Sequence, residues 1–356
     1  MRVSIVGIVG VPASYGGFET LVENLLSNGM ANNNSVAVYC SSKSYTVRQK
    51  YYKGASLKYI DLNANGISSI AYDIISIFSA IKNRSDCILI LGVSGAIVLP
   101  IIRLIQPKTK IVTNIDGLEW KRDKWSRLAK SFLKFSEKLA VKFSHVVITD
   151  NQAITDYVQD EYNKASVTIA YGGDHAVLDM PDSVESPVNF EYALSVCRIE
   201  PENSVGLILE AYSLTNKNII FIGNWQNSEY GQELREKYSG FNNIHMLDPI
   251  YDVGLLYAYR SNASAYVHGH TAGGTNPSLV EMMHFSVPIL AFDCCYNRET
   301  LKGQGTFFSN PDSLKEVINS NQEKCTKSIL EVKSIANRFY TWEVIAKKYF
   351  SALGLN

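Results

Sequence analysis

The chain has 356 residues, 46% of them hydrophobic, and its 34 Lys and Arg balance 34 Asp and Glu. That length can fill two cores rather than one, and a formal net charge of zero excludes a global pull toward nucleic acid. Six Cys without C-x-x-C or zinc spacing read as reduced thiols, so no metal is expected, and no run reaches roughly 18 uninterrupted apolar residues that could cross a membrane.

The N-terminus carries one Arg and a short apolar run broken by Gly, unlike a signal peptide. The expectation is a cytoplasmic protein, soluble or seated on a membrane without crossing it. Residues 3–9 (VSIVGIV) read as a buried parallel strand. A turn with Pro12, Ser14, Gly16 and Gly17 follows, and then Phe18, Leu21, Val22, Leu25 and Leu26 recur at helical spacing over 18–28. Strand, glycine turn and helix form a design that can cradle phosphate. A nicotinamide fingerprint fails, because Gly7, Gly10, Gly16 and Gly17 lack the G-x-G-x-x-G spacing and no acid ends the second strand near Cys40. A Walker A lysine is also missing. Two readings of Gly16–Gly17 stay open: a backbone cradle for an anion, or a tight turn and nothing more.

Strands are expected at 35–40, 86–91, 110–115, 145–149 and 166–170, with helices at 69–82 and 126–143 among those between them. The segment NIDGLEWKRDKW (114–125) follows a strand, so Asp116 and Glu119 sit at a strand end. They are candidates for orienting an acceptor or accepting its proton. The plain alternative is a turn at Asp116-Gly117 and an ion pair from Glu119 to Lys121 or Arg122. Trp120 and Trp125 read equally as rings that stack on a ligand or as core residues. In helix 126–143, Arg127, Lys130, Lys134, Lys138 and Lys142 repeat on one face, after Lys121, Arg122 and Lys124. Leu128, Phe132, Phe135, Leu139 and Phe143 are available to the other side. The segment 121–142 reads as a surface attracted to anionic lipid, or as a solvated face.

The stretch 170–192 has two Gly, two Pro, five acids and no periodicity, and marks the best boundary. Beyond it, strands are expected at 193–197, 218–223, 243–247, 263–268, 287–292 and 305–308, with helices at 203–214, 276–285 and 312–320. Twelve strands alternating with helices imply two parallel sheets. The fold class is α/β, with two doubly wound Rossmann-like domains facing a cleft. The domains are 1–172, 173–335 and a C-terminal helix, 336–356, packing back on the first. The last helical stretch spans 324–352.

The segment YVHGHTAGGTNPSLVEMM (266–283) runs from a strand through His268-Gly269-His270 and Gly273-Gly274 into a helix opened by Thr275, Asn276 and Pro277. A helix N-terminus behind two glycines suits a diphosphate. Glu281, an acid among apolar neighbours, can accept hydrogen bonds from vicinal ribose hydroxyls. His268 and His270 share a face, but no third metal ligand is evident.

These residues resemble a family. The chain is similar to retaining GT-B glycosyltransferases, in particular the bacterial capsule and O-antigen subgroup that includes rhamnosyltransferases. The likeness rests on GVPASYGGFETLVENL (10–25), NIDGLEWKRDKW, RIEPENS (198–204) and YVHGHTAGGTNPSLVEMM. It implies that Gly16 and Gly17 approach donor phosphates and that Arg198 neutralises the leaving diphosphate. Glu281 then matches the second acid of the E-x7-E motif. The first acid would fall at Gly273, and the lysine after the arginine is replaced around Glu202-Asn203. Backbone amides of 274–278 are expected to substitute. The implied donor set is Gly16, Gly17, Arg198, Asn203, Gly274, Thr275, Asn276, Ser278 and Glu281, and the catalytic set is Asp116, Glu119 and Arg198.

The resemblance further implies a nucleotide-sugar donor, dTDP-L-rhamnose by subgroup, and a polyprenyl-diphosphate-linked saccharide acceptor. It implies no cofactor and no metal, and a peripheral place at the inner face of the cytoplasmic membrane, where surface polysaccharide is built. No nucleic-acid module is visible. The competing readings are a nucleotide-sugar epimerase on the same fold and a non-catalytic protein that binds nucleotide or lipid.

Overall fold

The computed structural model describes residues 1–13, 16–122, 125–179, 184–320 and 325–355. Ser14 of the glycine turn and Lys124 of the basic segment lie outside the described residues. The chain divides into two units, Met1–Tyr171 with Trp342–Asn356, and Gly172–Thr341.

The first unit runs β1 (Arg2–Val6), α1 (Gly17–Ser27), β2 (Ser35–Ser41), β3 (Tyr51–Tyr52), β4 (Ala55–Ile60), α2 (Ser68–Lys82) and β5 (Cys87–Leu91). It continues with α3 (Leu99–Ile105), β6 (Lys110–Asn114), α4 (Arg127–Phe143), β7 (Val146–Thr149), α5 (Gln152–Tyr162) and β8 (Val167–Thr168). The sheet order is β3-β4-β2-β1-β5-β6-β7-β8, parallel except where β3 pairs with β4. β1 stops at Val6, short of the expected 9. Gly7 has φ +93°, outside the strand region, and a Cβ there would lie 2.1 Å from the Leu91 carbonyl oxygen, so only glycine fits where β1 ends.

The β3–β4 hairpin went unpredicted. Its turn is Lys53-Gly54, both at positive φ, which suits a two-residue hairpin turn but offers only one glycine as a signal.

The second unit runs β9 (Tyr192–Val196), α6 (Val205–Ser213), β10 (Asn218–Ile222), α7 (Glu229–Tyr238), β11 (Ile244–Leu247), α8 (Val253–Ser261) and β12 (Ala265–His268). Then come α9 (Pro277–Met283), β13 (Ile289–Phe292), α10 (Cys295–Thr300), β14 (Thr306–Phe308), α11 (Pro311–Asn319) and α12 (Cys325–Phe339). Its sheet is all parallel, in the order β11-β10-β9-β12-β13-β14. Continuous apolar strands fill both faces, as parallel sheets require. Val205, Ile208, Leu209, Phe221, Trp225 and Val267 lie in its core.

The expected helix 324–352 is two helices, α12 and α13 (Trp342–Leu353). Tyr340 binds the chain to the second unit: its hydroxyl donates to Thr300 O at 3.0 Å, and its carbonyl accepts from Gly173 N at 2.8 Å. Trp342, Ile345 and Tyr349 are buried in the core of the first unit with Leu21, Leu25 and Val112. The chain therefore changes unit at 341–342 rather than at 336.

Candidate functional site

In open α/β sheets, ligands bind beyond the carboxyl ends of the strands, where strand order reverses. In the second unit that point lies between β9 and β12, since β10 and β11 continue to one side and β13 and β14 to the other. Arg198 follows β9, and the loop 269–276 follows β12.

Arg198 is exposed, its Nε 3.7 Å from Glu200 Oε2. The two loops are stitched together from below. Asn203 donates to Arg198 O at 2.8 Å, and its Oδ1 lies 2.9 Å from His270 Nδ1. Thr271 donates to Glu202 O through both its amide, at 2.8 Å, and its hydroxyl, at 2.9 Å. A Cβ on Gly269 would fall 2.2 Å from Asn203 O, so only glycine lets the loops close this far. Asn203, an expected donor contact, is buried with both polar ends on protein partners and acts as the brace between the loops.

Asn276 caps α9, its side chain accepting from Ser278 N at 3.0 Å, with Pro277 in the first turn. That hydrogen bond occupies an amide expected to face phosphate, and Pro277 has none. Of the backbone amides of 274–278, those of Gly274 and Asn276 meet no acceptor among the described residues; Gly274 and Thr275 are both buried, and Asn276 is half-buried.

Glu281 pairs with Arg260 through Oε2, and His175 Nε2 lies 3.4 Å from Oε1. Burial pushes its carboxyl up, but Arg260 and His175 outweigh burial and hold it below the ordinary carboxylate value. Arg260 and His175 escaped the sequence reading because they lie on α8 and on the 3-10 turn Asp174–Ala176, far along the chain.

His268 is 2% exposed, and its Nε2 meets no partner among the described residues. Burial, with His270 beside it, drives its pKa well below the usual histidine value, so it is neutral. Among the described residues, no group of three or more His, Cys, Asp or Glu could hold a metal.

In the first unit the reversal lies between β1 and β5. The segment 7–13 after β1 is fastened by acids of α1 that the sequence reading did not single out. Glu19 accepts from Val9 N at 2.8 Å, and Glu23 accepts from Ala13 N at 2.7 Å. Tyr52 and Lys53 hold Glu23 in turn. Gly16 has φ +122°, and a Cβ there would lie 1.9 Å from Glu19 Oε2. The geometry thus accounts for Gly16 within the chain, as a turn residue. Gly17 opens α1, whose N-terminus has no side-chain cap. The signal that could have found these acids was their spacing, one turn apart directly after the glycines.

Asp116 stands in the left-handed region at φ +61°, its N–H donating to Asn114 Oδ1 at 2.8 Å. Its charge bears on Glu19, Tyr171 and Tyr349. Burial and, less strongly, Asp116 push the Glu19 carboxyl up against the Val9 hydrogen bond. Asp116 and Glu19 therefore gather at the carboxyl edge of this sheet. Glu119 accepts from Trp125 Nε1 at 2.9 Å and from Arg122 Nη1 at 3.2 Å, one on each oxygen, and ties down the segment after β6. Trp120 donates to buried Glu137 at 3.0 Å, which also accepts from Tyr157 and Tyr162 at 2.7 and 2.6 Å.

The basic face of α4 is less uniform than its spacing suggests. Lys134 turns inward, over the rings of Trp120 at 4.5 Å and Tyr157 at 4.7 Å, and pairs with Glu161 at 3.0 Å. Arg127, Lys138 and Lys142 stay exposed. Leu128 (85% exposed) and Phe135 also face outward, rather than into the core. α3 packs against α4 and exposes Ile101, Leu104 (82%) and Ile105. No described helix is long and apolar enough to cross a membrane.

Family comparison matches residues 1–174 to a domain of unknown function (DUF1972) and residues 179–326 to the glycosyl transferases group 1. No curated protein matches the chain in sequence. Among solved structures, the chain is similar to sucrose-phosphate synthase (tll1590) from Thermosynechococcus elongatus, with a TM-score of 0.81, 14% identity, and coverage of 98% of this chain and 97% of that one. It is also similar to Anabaena Alr3699/HepE in complex with UDP and glucose, at 0.77 and 15%, covering 99% of each. A glycosyltransferase from Rickettsia africae gives 0.72 and 14%, covering 98% of this chain and 96% of that one. These likenesses show the fold, two parallel-sheet Rossmann-like units as in GT-B glycosyltransferases, and residues 179–326 match the model of the glycosyl transferases group 1.

Proposed function

We propose that the chain transfers a sugar from a nucleotide-sugar to a lipid-linked saccharide, with retention and without a metal. The observation that carries this reading is an exposed Arg198 after β9 and an acid, Glu281, on the helix after β12, the two strands that flank the strand-order reversal of the unit whose residues 179–326 match the glycosyl transferases group 1. The bond between sugar C1 and the diphosphate oxygen breaks while negative charge builds on the diphosphate. Arg198 and the amides of Gly274 and Asn276 stabilise that charge. Glu281 grips the ribose hydroxyls. The acceptor oxygen forms the new bond on the same face, and its proton ends on the departing diphosphate. Asp116 orients the acceptor hydroxyl.

The resemblance favours dTDP-L-rhamnose as donor. HepE in complex with UDP-glucose supports UDP-glucose as a second reading, and an ionised Glu281 suited to two adjacent hydroxyls favours such a ribonucleotide. The acceptor reading is a polyprenyl-diphosphate-linked saccharide met at the inner face of the cytoplasmic membrane. Its support is the outward apolar residues of α3 and α4 beside Arg127, Lys138 and Lys142.

The test is a turnover assay with each donor and a polyprenyl-diphosphate disaccharide, with chelator present. Product with retained anomeric configuration is expected from one donor. Donor isomerised with no acceptor present would point to an epimerase. Nucleotide binding with no turnover would point to a non-catalytic protein.

A further inference from the structure

Glu281 receives partners from two separate elements of the second unit. Arg260 reaches Oε2 from the last turn of α8, and His175 approaches Oε1 from the turn Asp174–Ala176. That turn is fixed against α9, since a Cβ on Gly173 would lie 2.6 Å from the Val280 carbonyl and 2.7 Å from Glu281 N. From β12, the Tyr266 hydroxyl donates to Val196 O at 3.3 Å and feels both charges of the pair. From α12, Lys333 reaches Ser286 instead, at 3.1 Å. Arg260 itself is 7% exposed, and its Nε meets no acceptor among the described residues. A guanidinium this deep, with one nitrogen unsatisfied, is costly to keep unless the charge it pairs is needed.

We propose that Arg260 is a positioning residue for the donor grip, acting through Glu281: it keeps that carboxylate ionised and in one orientation, with acceptor capacity left on both oxygens. An ionised carboxylate accepts about four hydrogen bonds. Arg260 takes one on Oε2 and His175 faces Oε1, so each oxygen retains a lone pair. Two adjacent hydroxyls of a ribose need one acceptor each. A protonated or freely rotating carboxyl would offer no such pair. This assignment rests on the nucleotide-sugar reading given above.

The test measures UDP and dTDP affinity by calorimetry from pH 8 to pH 5 for the wild type, Arg260→Lys, Arg260→Gln, Glu281→Gln and the Arg260→Gln/Glu281→Gln double variant. The Glu281 carboxyl is followed in parallel by carbon-13 NMR, its signal assigned by its loss in Glu281→Gln. Arg260→Gln is expected to bind UDP roughly 10- to 100-fold more weakly, with a smaller loss for dTDP, whose deoxyribose offers Glu281 one hydroxyl instead of two. Its deficit against the wild type should widen as pH falls, because burial alone raises the Glu281 pKa. Arg260→Lys should recover most of the affinity, and Arg260→Gln should cost nothing further on Glu281→Gln.

An Arg260→Gln protein that melts like the wild type and binds with an unchanged, parallel pH profile overturns the proposal. If Arg260→Gln does not fold, Arg260→Lys carries the test: a displaced Glu281 carboxyl signal with unaltered affinity overturns it equally. Wild-type protein that binds neither nucleotide while its Glu281 titrates low shows that the donor reading has failed, and the positioning role falls with it.

Discussion

Gly16 and Glu19 form one device, because the place a Gly16 side chain would take is 1.9 Å from Glu19 Oε2. The same carboxylate holds Val9 N–H at 2.8 Å, so the glycine and the acid together fix the loop after β1. Gly16→Ala should destabilise the protein by about 2 kcal/mol, from positive φ and the displaced carboxylate. Glu19→Ala should cost about 1–3 kcal/mol by leaving the Val9 amide unsatisfied. In a Glu19→Ala background, Gly16→Ala should cost clearly less than it does alone. Urea unfolding of the four proteins measures this coupling, and strictly additive losses would separate the two residues.

The acids of the first unit divide by what they touch. Glu119 has Trp125 on one oxygen and Arg122 on the other, whereas Asp116 projects its charge toward Glu19 and Tyr171. Asp116→Asn keeps a residue tolerant of the left-handed backbone, so the fold should persist. Turnover should fall about 100-fold or more if Asp116 serves the acceptor hydroxyl. Glu119→Gln should lower the melting temperature with a smaller loss of kcat. The reverse ranking in a kcat comparison at matched folding would exchange their roles.

The fold was legible because its elements repeat a simple pattern. Val3, Ile5, Leu89, Val112 and Ile148 are apolar strand residues buried in a parallel sheet, and such runs announce themselves. The hairpin at 51–60 stayed hidden because β3 is two residues long and lies at the sheet edge, where few apolar residues are needed. The site was legible where it depends on local chemistry, as in Asn276-Pro277 opening α9. It was not legible where it depends on distant partners. Nothing near Glu281 in sequence points to Arg260, and nothing near Asn203 points to His270. Sequence spacing put Lys134 in a basic stripe, but Trp120, Tyr157 and Glu161 draw it inward.

Asp73 on α2 is 5% exposed and accepts from Ser94 Oγ at 2.7 Å. Burial pushes its carboxyl up to about 7, against the weaker opposing effect of Ser94. Its folded pKa lies above the unfolded value, so it favours the folded state fully below pH 4 or so. That contribution is lost as pH rises through about 7. Wild-type stability should therefore decline relative to Asp73→Asn between pH 4 and pH 8, by on the order of 4 kcal/mol. Asn retains an acceptor for Ser94 and carries no charge to desolvate. Urea midpoints at several pH values measure the difference. A constant gap between the two proteins would place the carboxyl pKa near its ordinary value.

α3 and α4 present Ile101, Leu104, Ile105, Leu128 and Phe135 to the outside, beside the cations Arg127, Lys138 and Lys142. Apolar side chains of this size gain about 1.5–3 kcal/mol each on full burial, and each basic residue near an anionic surface adds about 1 kcal/mol. The two contributions respond to different variables, which makes the membrane reading testable in parts. Vesicles rich in phosphatidylglycerol should retain the protein, and binding should weaken with salt because exposed charges are screened over about 10 Å at 0.1 M. Lys138→Ala with Lys142→Ala should weaken binding about tenfold or more and reduce its salt dependence. Leu104→Asp with Ile105→Asp should weaken binding at every salt concentration, because it removes insertion rather than attraction. Neither pair touches the core, so melting temperatures should hold. Equal retention of all three proteins in flotation assays would mean that the face formed by α3 and α4 is not what meets the lipid.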